Sequence, residues 1–382
     1  MRNYEKAKKC VKKLRLEWVL VLAEIALTGW TYYVYVWLMC YQTLQDRVEV
    51  SILLSVYHLL FILKVWCFLK TILTPRIPVP PEFHFDEKTW NQIELDSSLQ
   101  QQTKVFLGVK TTTISNKTLN YCYICGNVKP DRCHHCSRCG TCVLRMDHHC
   151  PWVNRCVGFH NHKFFFLLIH YTFTYSMFLV ITCTGTLPRI WRRDWVGNLI
   201  NNEEIGRTLR NTSAAFMLKA RSSLSEIPTA ELTANATSLT VSKSLIPAAL
   251  AISASAPSSS SSSSTAEAAA AASTASSRTS LVDDAGLSPV FIQVVAVIFI
   301  YLVIMISLVP LLTFHNQLLD GNITTLEVYR PVSLPNCKGN SEIFDLGSVS
   351  ANHKQIMGSQ LWLWPFPVFT SLGDGVHYPV QG

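Results

Sequence analysis

Charge is scarce in this chain. Asp, Glu, Lys and Arg make up 15% of its 382 residues, against roughly 25% in a typical soluble domain. Hydrophobic residues reach 49% and the mean hydropathy is +0.21, so neutral polar residues do not replace the missing charge. This excludes an ordinary soluble enzyme and indicates a membrane protein. Acid is scarcer than base, 25 residues against 33, for a net charge of +8 at pH 7. The basic residues gather beside apolar runs, which suits a membrane surface better than a nucleic acid. A cleavable leader is not expected either. The first apolar stretch is too long for a signal-peptide core and shows no small-residue cleavage site, so a retained span is expected.

Four apolar stretches are present, over 18–41, 50–69, 164–187 and 289–314. Each is near the ~20 residues that cross a bilayer as a helix, and only helices satisfy their own backbone at such lengths. The expected fold class is therefore an α-helical polytopic membrane protein with four transmembrane helices. The tail over 1–17 carries Arg2, Lys6, Lys8, Lys9, Lys12, Lys13 and Arg15, which marks it as cytosolic. An even number of spans then places 70–163 and 315–382 in the cytosol and 188–288 in the lumen. Arg189, Arg192 and Arg193 lie on the outer side and run against the rule, but the tail and the Cys-rich loop outweigh them. Within the luminal stretch, 251–277 is almost all Ser and Ala and cannot bury enough surface to order itself. It reads as an inert, disordered insertion, with glycosylation sequons at Asn211 and Asn235. Glu24, His58, Lys64 and His170 are ionisable residues within spans. Glu24 and Lys64 are expected to snorkel to the cytosolic edge.

Eight of the thirteen cysteines lie between Cys122 and Cys156, mixed with His134, His135, His148 and His149. Cysteine pairs interleaved with histidine read as metal sites and imply a reducing compartment. Cys122, Cys125, His135 and Cys142 form one C-x2-C-x9-H-x6-C set, and Cys136, Cys139, His149 and Cys156 repeat it fourteen residues on. Each is a closed Cys3His shell suited to a structural zinc ion. Two zinc ions are expected within about 120–163, although neighbouring thiols are able to exchange roles.

The repeat also shows what has no metal to bind. Cys136 follows His135 and serves the second set. Cys150 follows His149 in the same way, but position 153, where a third set would need its second cysteine, is Val. Cys150 is left over. The first copy reads Cys133-His134-His135-Cys136, whereas the second reads Asp147-His148-His149-Cys150. A carboxylate, an imidazole outside the metal set and a free thiol therefore stand together, the orienter, base and nucleophile of acyl transfer. A thiol of pKa ~8.5 is mostly protonated at neutral pH. His148 can accept its proton, and Asp147 can fix the imidazole tautomer. Taken alone, an Asp-His pair reads more simply as solvated finger residues; the spare thiol beside it shifts the balance.

These residues, with Pro151-Trp152-Val153 and Cys156-Val157-Gly158 after them and Lys129-Pro130-Asp131-Arg132 before, closely resemble the DHHC family of protein S-acyltransferases. The resemblance implies a thioester on Cys150 formed from a long-chain acyl-CoA such as palmitoyl-CoA. A cysteine of a membrane-associated substrate protein then takes the acyl group. His148 is the implied base and Asp147 its orienter. It also implies that Trp152, Phe165 and Tyr175 line the acyl pocket, which ordinary helix packing would explain equally for the last two. Lys129, Arg132 and His134 would meet CoA phosphates, or equally be solvated charges beside anionic lipid. Thr324-Thr325-Leu326-Glu327 resembles the family's TTxE motif, which packs against the catalytic region, and Asn352 resembles an Asn that supports the fold. Ser371-Leu372-Gly373-Asp374-Gly375 is similar to the tail of an animal subgroup at the Golgi and plasma membrane. Two departures stand out: Thr74-Pro75-Arg76 replaces Asp-Pro-Gly after the second span, and the luminal stretch is far longer than the family's.

A protein S-palmitoyltransferase with cytosolic catalytic residues is thus the expected function, with substrate proteins, acyl-CoA and the bilayer as partners. The alternative is a catalytically inactive membrane-anchored zinc-finger adaptor, which has no use for Asp147, His148 and Cys150. Nucleic acid is not an expected partner, because the ligand spacing forms no C2H2 unit and the region is pinned to a bilayer.

Overall fold

A computed structural model describes residues 2–110, 119–201, 207, 211–219, 288–330 and 343–379. It divides into one unit of residues 1–188 with 289–382 and another of 189–288. Helix α1 (Arg2–Tyr32) passes without a break into a π-helical segment, Tyr33–Tyr41. Helix α2 (Arg47–Leu73) follows a tight turn, and its N-cap Asp46 accepts from the amides of Val48 at 2.8 Å and Glu49 at 3.4 Å. Two short helices, α3 (Glu87–Leu95) and α4 (Ser97–Phe106), lead to three two-stranded hairpins. Helices α5 (His162–Asn201) and α6 (Pro289–Asp320) come next, then the short α7 (Thr325–Tyr329) and α8 (Val349–Met357).

Four helical segments are long and apolar enough to cross a bilayer: Glu17–Tyr41, Arg47–Leu73, His162–Val196 and Pro289–Asp320. Each overruns its apolar core because polar residues at helix ends extend beyond hydrocarbon while backbone bonding continues. The basic tail is thus helical and continuous with the first span. Helix α5 passes Leu187 and carries Arg189, Arg192 and Arg193 on its continuation. In the second unit the Asn211 sequon lies on an exposed helical stretch over 211–219. The Ser/Ala run and the Asn235 sequon lie outside the described residues.

The spans are joined by a polar seam. Tyr35 stacks on Tyr57 at 4.5 Å between ring centres. The Tyr175 hydroxyl donates to that of Tyr57 at 3.0 Å, and Thr31 donates to Tyr301 at 3.2 Å. Hydroxyls away from water must find partners, and here the partners sit on neighbouring helices. Glu24 and Lys64 do not snorkel as expected. Lys64 is 3% exposed and meets Glu24 at 2.8 Å and the Thr28 hydroxyl at 3.0 Å. Pairing neutralises two charges that would otherwise each have to reach water.

Candidate active site

The cysteine spacing folds as a repeat. Strands β1 (Tyr121–Cys122) and β2 (Asn127–Val128) form the first hairpin, β3 (His134–Cys136) and β4 (Thr141–Val143) the second, and β5 (His148–Cys150) and β6 (Arg155–Val157) the third. The last two share one register. His135 stands opposite Cys142, and His149 opposite Cys156. Opposed residues share a face, so each hairpin presents a His and a Cys together. The remaining two ligands come from the hairpin before, one ending its first strand and one in its turn.

Both predicted sets assemble, with their ligand atoms within 4.8 Å of one another. In the first set, His135 Nδ1 lies 3.5, 3.3 and 4.0 Å from the sulfurs of Cys122, Cys125 and Cys142. In the second, His149 Nδ1 lies 3.7, 3.4 and 3.6 Å from Cys136, Cys139 and Cys156. A tetrahedron with Zn–S of ~2.3 Å and Zn–N of ~2.0 Å has S···N edges of about 3.5 Å. Cys139 and Cys156 are 3.3 Å apart, far beyond a disulfide bond of ~2.05 Å. The donor chemistry and spacing therefore fit zinc. The two sets would hold it, and its contribution when bound is to lock the hairpins.

Cys150 belongs to neither set. It is 6% exposed and packs with Cys67 of α2, Phe165 of α5, Leu319 of α6 and Ile356 of α8. Alternation along β5 sends His149 to the metal side and His148 to the side of Cys150. His148 stands edge-on to Phe165 at 5.0 Å and 5.8 Å from the His315 ring. Its Nδ1 is 2.6 Å from Asp147 Oδ2. Asp147 is fully buried, and its oxygens also accept from the Thr325 amide at 2.8 Å and hydroxyl at 2.9 Å. Burial opposes charge on Asp147, but the bonds from His148 and Thr325 outweigh it and hold the carboxyl well below its ordinary range. Burial likewise opposes the imidazolium of His148, yet Asp147 and Cys150 push the ring up to about 9. With Nδ1 committed to Asp147, Nε2 is the nitrogen left for proton exchange.

The TTxE segment holds this arrangement. Thr324 caps α7 through a reciprocal capping box with Glu327, at 3.3 Å and 2.8 Å. Glu327 receives Nε and Nη2 of Arg132, each at 2.7 Å. Arg132 adopts φ of 64°, a strained value for a side-chain-bearing residue, and its guanidinium stacks 4.3 Å from the Phe344 ring. Asn352 donates to the Asp320 carbonyl at 2.6 Å and to Asp345 at 2.8 Å, and accepts from the Leu346 amide at 2.9 Å, tying α8 to the end of α6.

Glu327→Gln should lower stability by about 3–5 kcal/mol, because it strands the Arg132 charge in the interior. Thermal unfolding of the detergent-solubilised protein reads it. Arg132 outweighs burial and holds the Glu327 carboxyl below its ordinary 4.5. The pair's contribution is then complete above that pH and fades as pH falls further. Thr325→Val keeps shape and the backbone bond but loses the hydroxyl bond to Asp147. We expect about tenfold slower acylation, equivalent to ~1.4 kcal/mol, with metal content unchanged.

The remaining expected residues divide. Phe165 is buried against His148. Tyr175 is also buried, but ten residues further along α5, about 15 Å by helical rise, within the tyrosine seam. Trp152 is 62% exposed beside the site. Lys129 is half-buried. Arg132 does not face a phosphate: its side chain is consumed by Glu327 and Asn322. His134 is pushed by burial down to about 4, which leaves it neutral and removes its charge as an anion contact.

Sequence reasoning missed three groups. Glu17, the first residue of the first span, accepts from His149 Nε2 at 3.2 Å and pairs with Arg138. A carboxylate behind a metal-binding histidine fixes its tautomer and orientation; the only signal was one acid at the end of a basic tail. His162 and His315 bring nitrogens within 4.8 Å of an Asp147 oxygen. A metal ion there would compete with His148 and Thr325 for the carboxylate and face Arg145, which lies 3.2 Å from His162, so the cluster reads as a shell of buried imidazoles around Asp147.

Comparison with known proteins agrees with this geometry. A family model described as DHHC palmitoyltransferase matches residues 115–331. The chain is similar to palmitoyltransferase ZDHHC15 of Xenopus laevis, 30% identical over 382 residues covering 98% of this chain and 84% of that one. It is 29% identical to ZDHHC15A of Danio rerio over 371 residues, 96% and 85% of the two chains. It is 28% identical to ZDHHC20 of Mus musculus over 377 residues, 95% and 78% of the two chains.

Proposed function

The chain belongs to the DHHC palmitoyltransferase family, and from that premise we propose that it acts as a protein S-palmitoyltransferase through an acyl thioester on Cys150. One observation carries this reading: a thiol outside both metal sets shares a strand face with His148, whose other nitrogen is held at 2.6 Å by Asp147. An adaptor would gain nothing from that chain of bonds, or from Thr325 on its far side.

In the first half-reaction His148 takes the thiol proton and the Cys150 sulfur attacks the acyl-CoA carbonyl. A new carbon–sulfur bond forms, the bond to the CoA sulfur breaks, and His148 hands its proton to the departing CoA sulfur, which leaves as the free thiol and returns the imidazole to its neutral form. In the second, His148 takes the proton of a substrate-protein cysteine, whose sulfur attacks the Cys150 thioester. The acyl group moves, and the proton returns to Cys150. Two thioester exchanges of similar energy replace one three-party transfer. Asp147 keeps Nε2 presented to the sulfur throughout, and Thr325 keeps Asp147 in place. Apolar packing around Cys150, from Phe165 to Leu319, excludes water that would hydrolyse the thioester. Phe165 lies at the sulfur end of the acyl chain's path, with Trp152 beside it and Tyr175 further along α5, while Lys129 remains for the CoA head.

Two zinc ions fill the two Cys3His sets as structural metals. The hairpins face the cytosol, supported by the seven basic residues of the N-terminal tail. Substrates are proteins whose cysteines lie close to that membrane face. The similarity of the 371–375 tail to one subgroup supports residence at the Golgi or plasma membrane. The test is incubation of purified protein with labelled palmitoyl-CoA, followed by peptide mapping. A hydroxylamine-labile label on the Cys150 peptide is expected. Label confined to other cysteines, or none in zinc-replete protein, would refute the reading.

A further inference from the structure

Sulfur attack on a thioester puts a negative charge on the former carbonyl oxygen, and in a pocket without water that oxyanion needs a hydrogen-bond donor. The residues assigned so far do not supply one. His148 commits Nδ1 to Asp147 at 2.6 Å and Nε2 to the proton of the reacting sulfur, and the Asp147 carboxylate only accepts. Two polar-tipped side chains border the apolar cluster around Cys150, Tyr171 and Trp364. They donate to the carbonyls of Pro365 at 2.6 Å and Gly358 at 2.9 Å. His315 differs from all of these. It is 4% exposed, and its Nδ1 is buried with no hydrogen-bond partner. Two other histidines within the spans, His58 and His170, place Nδ1 on the carbonyl four residues back, at 2.7 and 2.8 Å.

Helix α6 carries His315 on the face turned to the thiol. Leu311 and Leu312 lie one turn before it and Leu319 one turn after, and all three pack in the cluster around Cys150. Residues three and four apart share a helix face. The His315 ring is 5.8 Å from that of His148 and 5.2 Å from that of Phe165, which itself stands 5.0 Å from His148. A phenylalanine would fill this space without the cost of a buried, unpaired nitrogen. We infer that His315 is a catalytic residue whose Nδ1–H donates to the oxyanion of the tetrahedral intermediate on Cys150. The inference rests on the acyl-thioester reading and adds the group that steadies the charge in both half-reactions. His148 remains the base. The bond from His315 strengthens as charge gathers on the oxygen and weakens as the carbonyl re-forms, and its proton stays on the ring.

Two reactions of Cys150 in the full-length, zinc-replete protein separate this role from packing. One is single-turnover acylation by labelled palmitoyl-CoA. The other is alkylation by iodoacetamide, read by peptide mapping. Alkylation also uses the thiolate, but the sulfur displaces iodide from a saturated carbon and no oxyanion forms. His315→Phe keeps a ring against Phe165 and His148 and removes the donor. Acylation, and transfer onward to a substrate cysteine, should each slow about 10²-fold, while alkylation keeps the wild-type rate. His315→Gln, which offers an amide N–H, should recover part of the loss. His315→Leu replaces the Phe variant if that one loses its zinc. Equal slowing of acylation and alkylation would assign His315 to packing and overturn the inference. Wild-type acylation in His315→Phe would also overturn it and leave the oxyanion to backbone amides. An unlabelled Cys150 in the wild type is a different failure, that of the thioester reading itself.

Discussion

Cys150→Ser carries no hydroxylamine-labile acyl group after incubation with palmitoyl-CoA, and its zinc content equals that of the wild type. Both halves of this expected result follow from one placement. The sulfur forms the thioester, so an alcohol of far higher pKa in the same pocket is a poor nucleophile and would form an ester that hydroxylamine does not release as readily. The sulfur is also outside the sets of Cys122, Cys125, His135, Cys142 and of Cys136, Cys139, His149, Cys156, so its loss leaves the metals in place. Transfer to substrate should fall to background. His148→Ala gives the graded counterpart. Loss of a positioned base lowers the rate by about 10²–10⁴, again with both metals retained. Zinc quantified by atomic emission on the labelled samples joins the two halves. If Cys150→Ser lost zinc, the division of ligands would be wrong. If it kept its label, the nucleophile would be elsewhere.

Metal removal should produce the largest loss of stability. The hairpins have two or three residues per strand, too few to hold together by backbone bonding alone. The second set draws its ligands from two successive hairpins, as does the first, so the metals carry most of the connection. Apparent binding free energies of roughly 10–16 kcal/mol per structural zinc exceed the net stability of most domains. A strong chelator, or His149→Ala, should therefore unfold 119–163 and expose the thiols to alkylation, while the four membrane helices keep their far-ultraviolet signal. His148→Ala, one residue away, should leave alkylation unchanged. Equal zinc loss in the two histidine variants would contradict the alternation along β5.

Much of this was legible in the residues. Metal ligation needs fixed donors at fixed spacing, so the two sets and the spare Cys150 could be counted along the chain. Apolar runs of sufficient length admit only helices, so the spans could be placed as well. What escaped the sequence depends on which side chains meet across long separations. Glu17 reaches His149 from another helix, and Arg132 turns inward to Glu327 when spacing alone suggests an outward cation. Lys64 and Glu24 looked able to reach the membrane edge separately, and only the packing of α1 on α2 makes each other the nearer partner. Thr325 was recognisable by its motif, but its two bonds to Asp147 required the fold.

The contact between Glu17 and His149 also has a bearing on synthesis. Chains emerge from the ribosome N-terminus first, and 132 residues separate this acid from the ring it supports. Until that distance has been translated, the first helix holds a carboxylate at the bilayer edge with neither Arg138 nor His149 made. Nascent chains stalled before Arg138 should therefore be recognised by quality-control proteases more readily than chains completed in the presence of zinc.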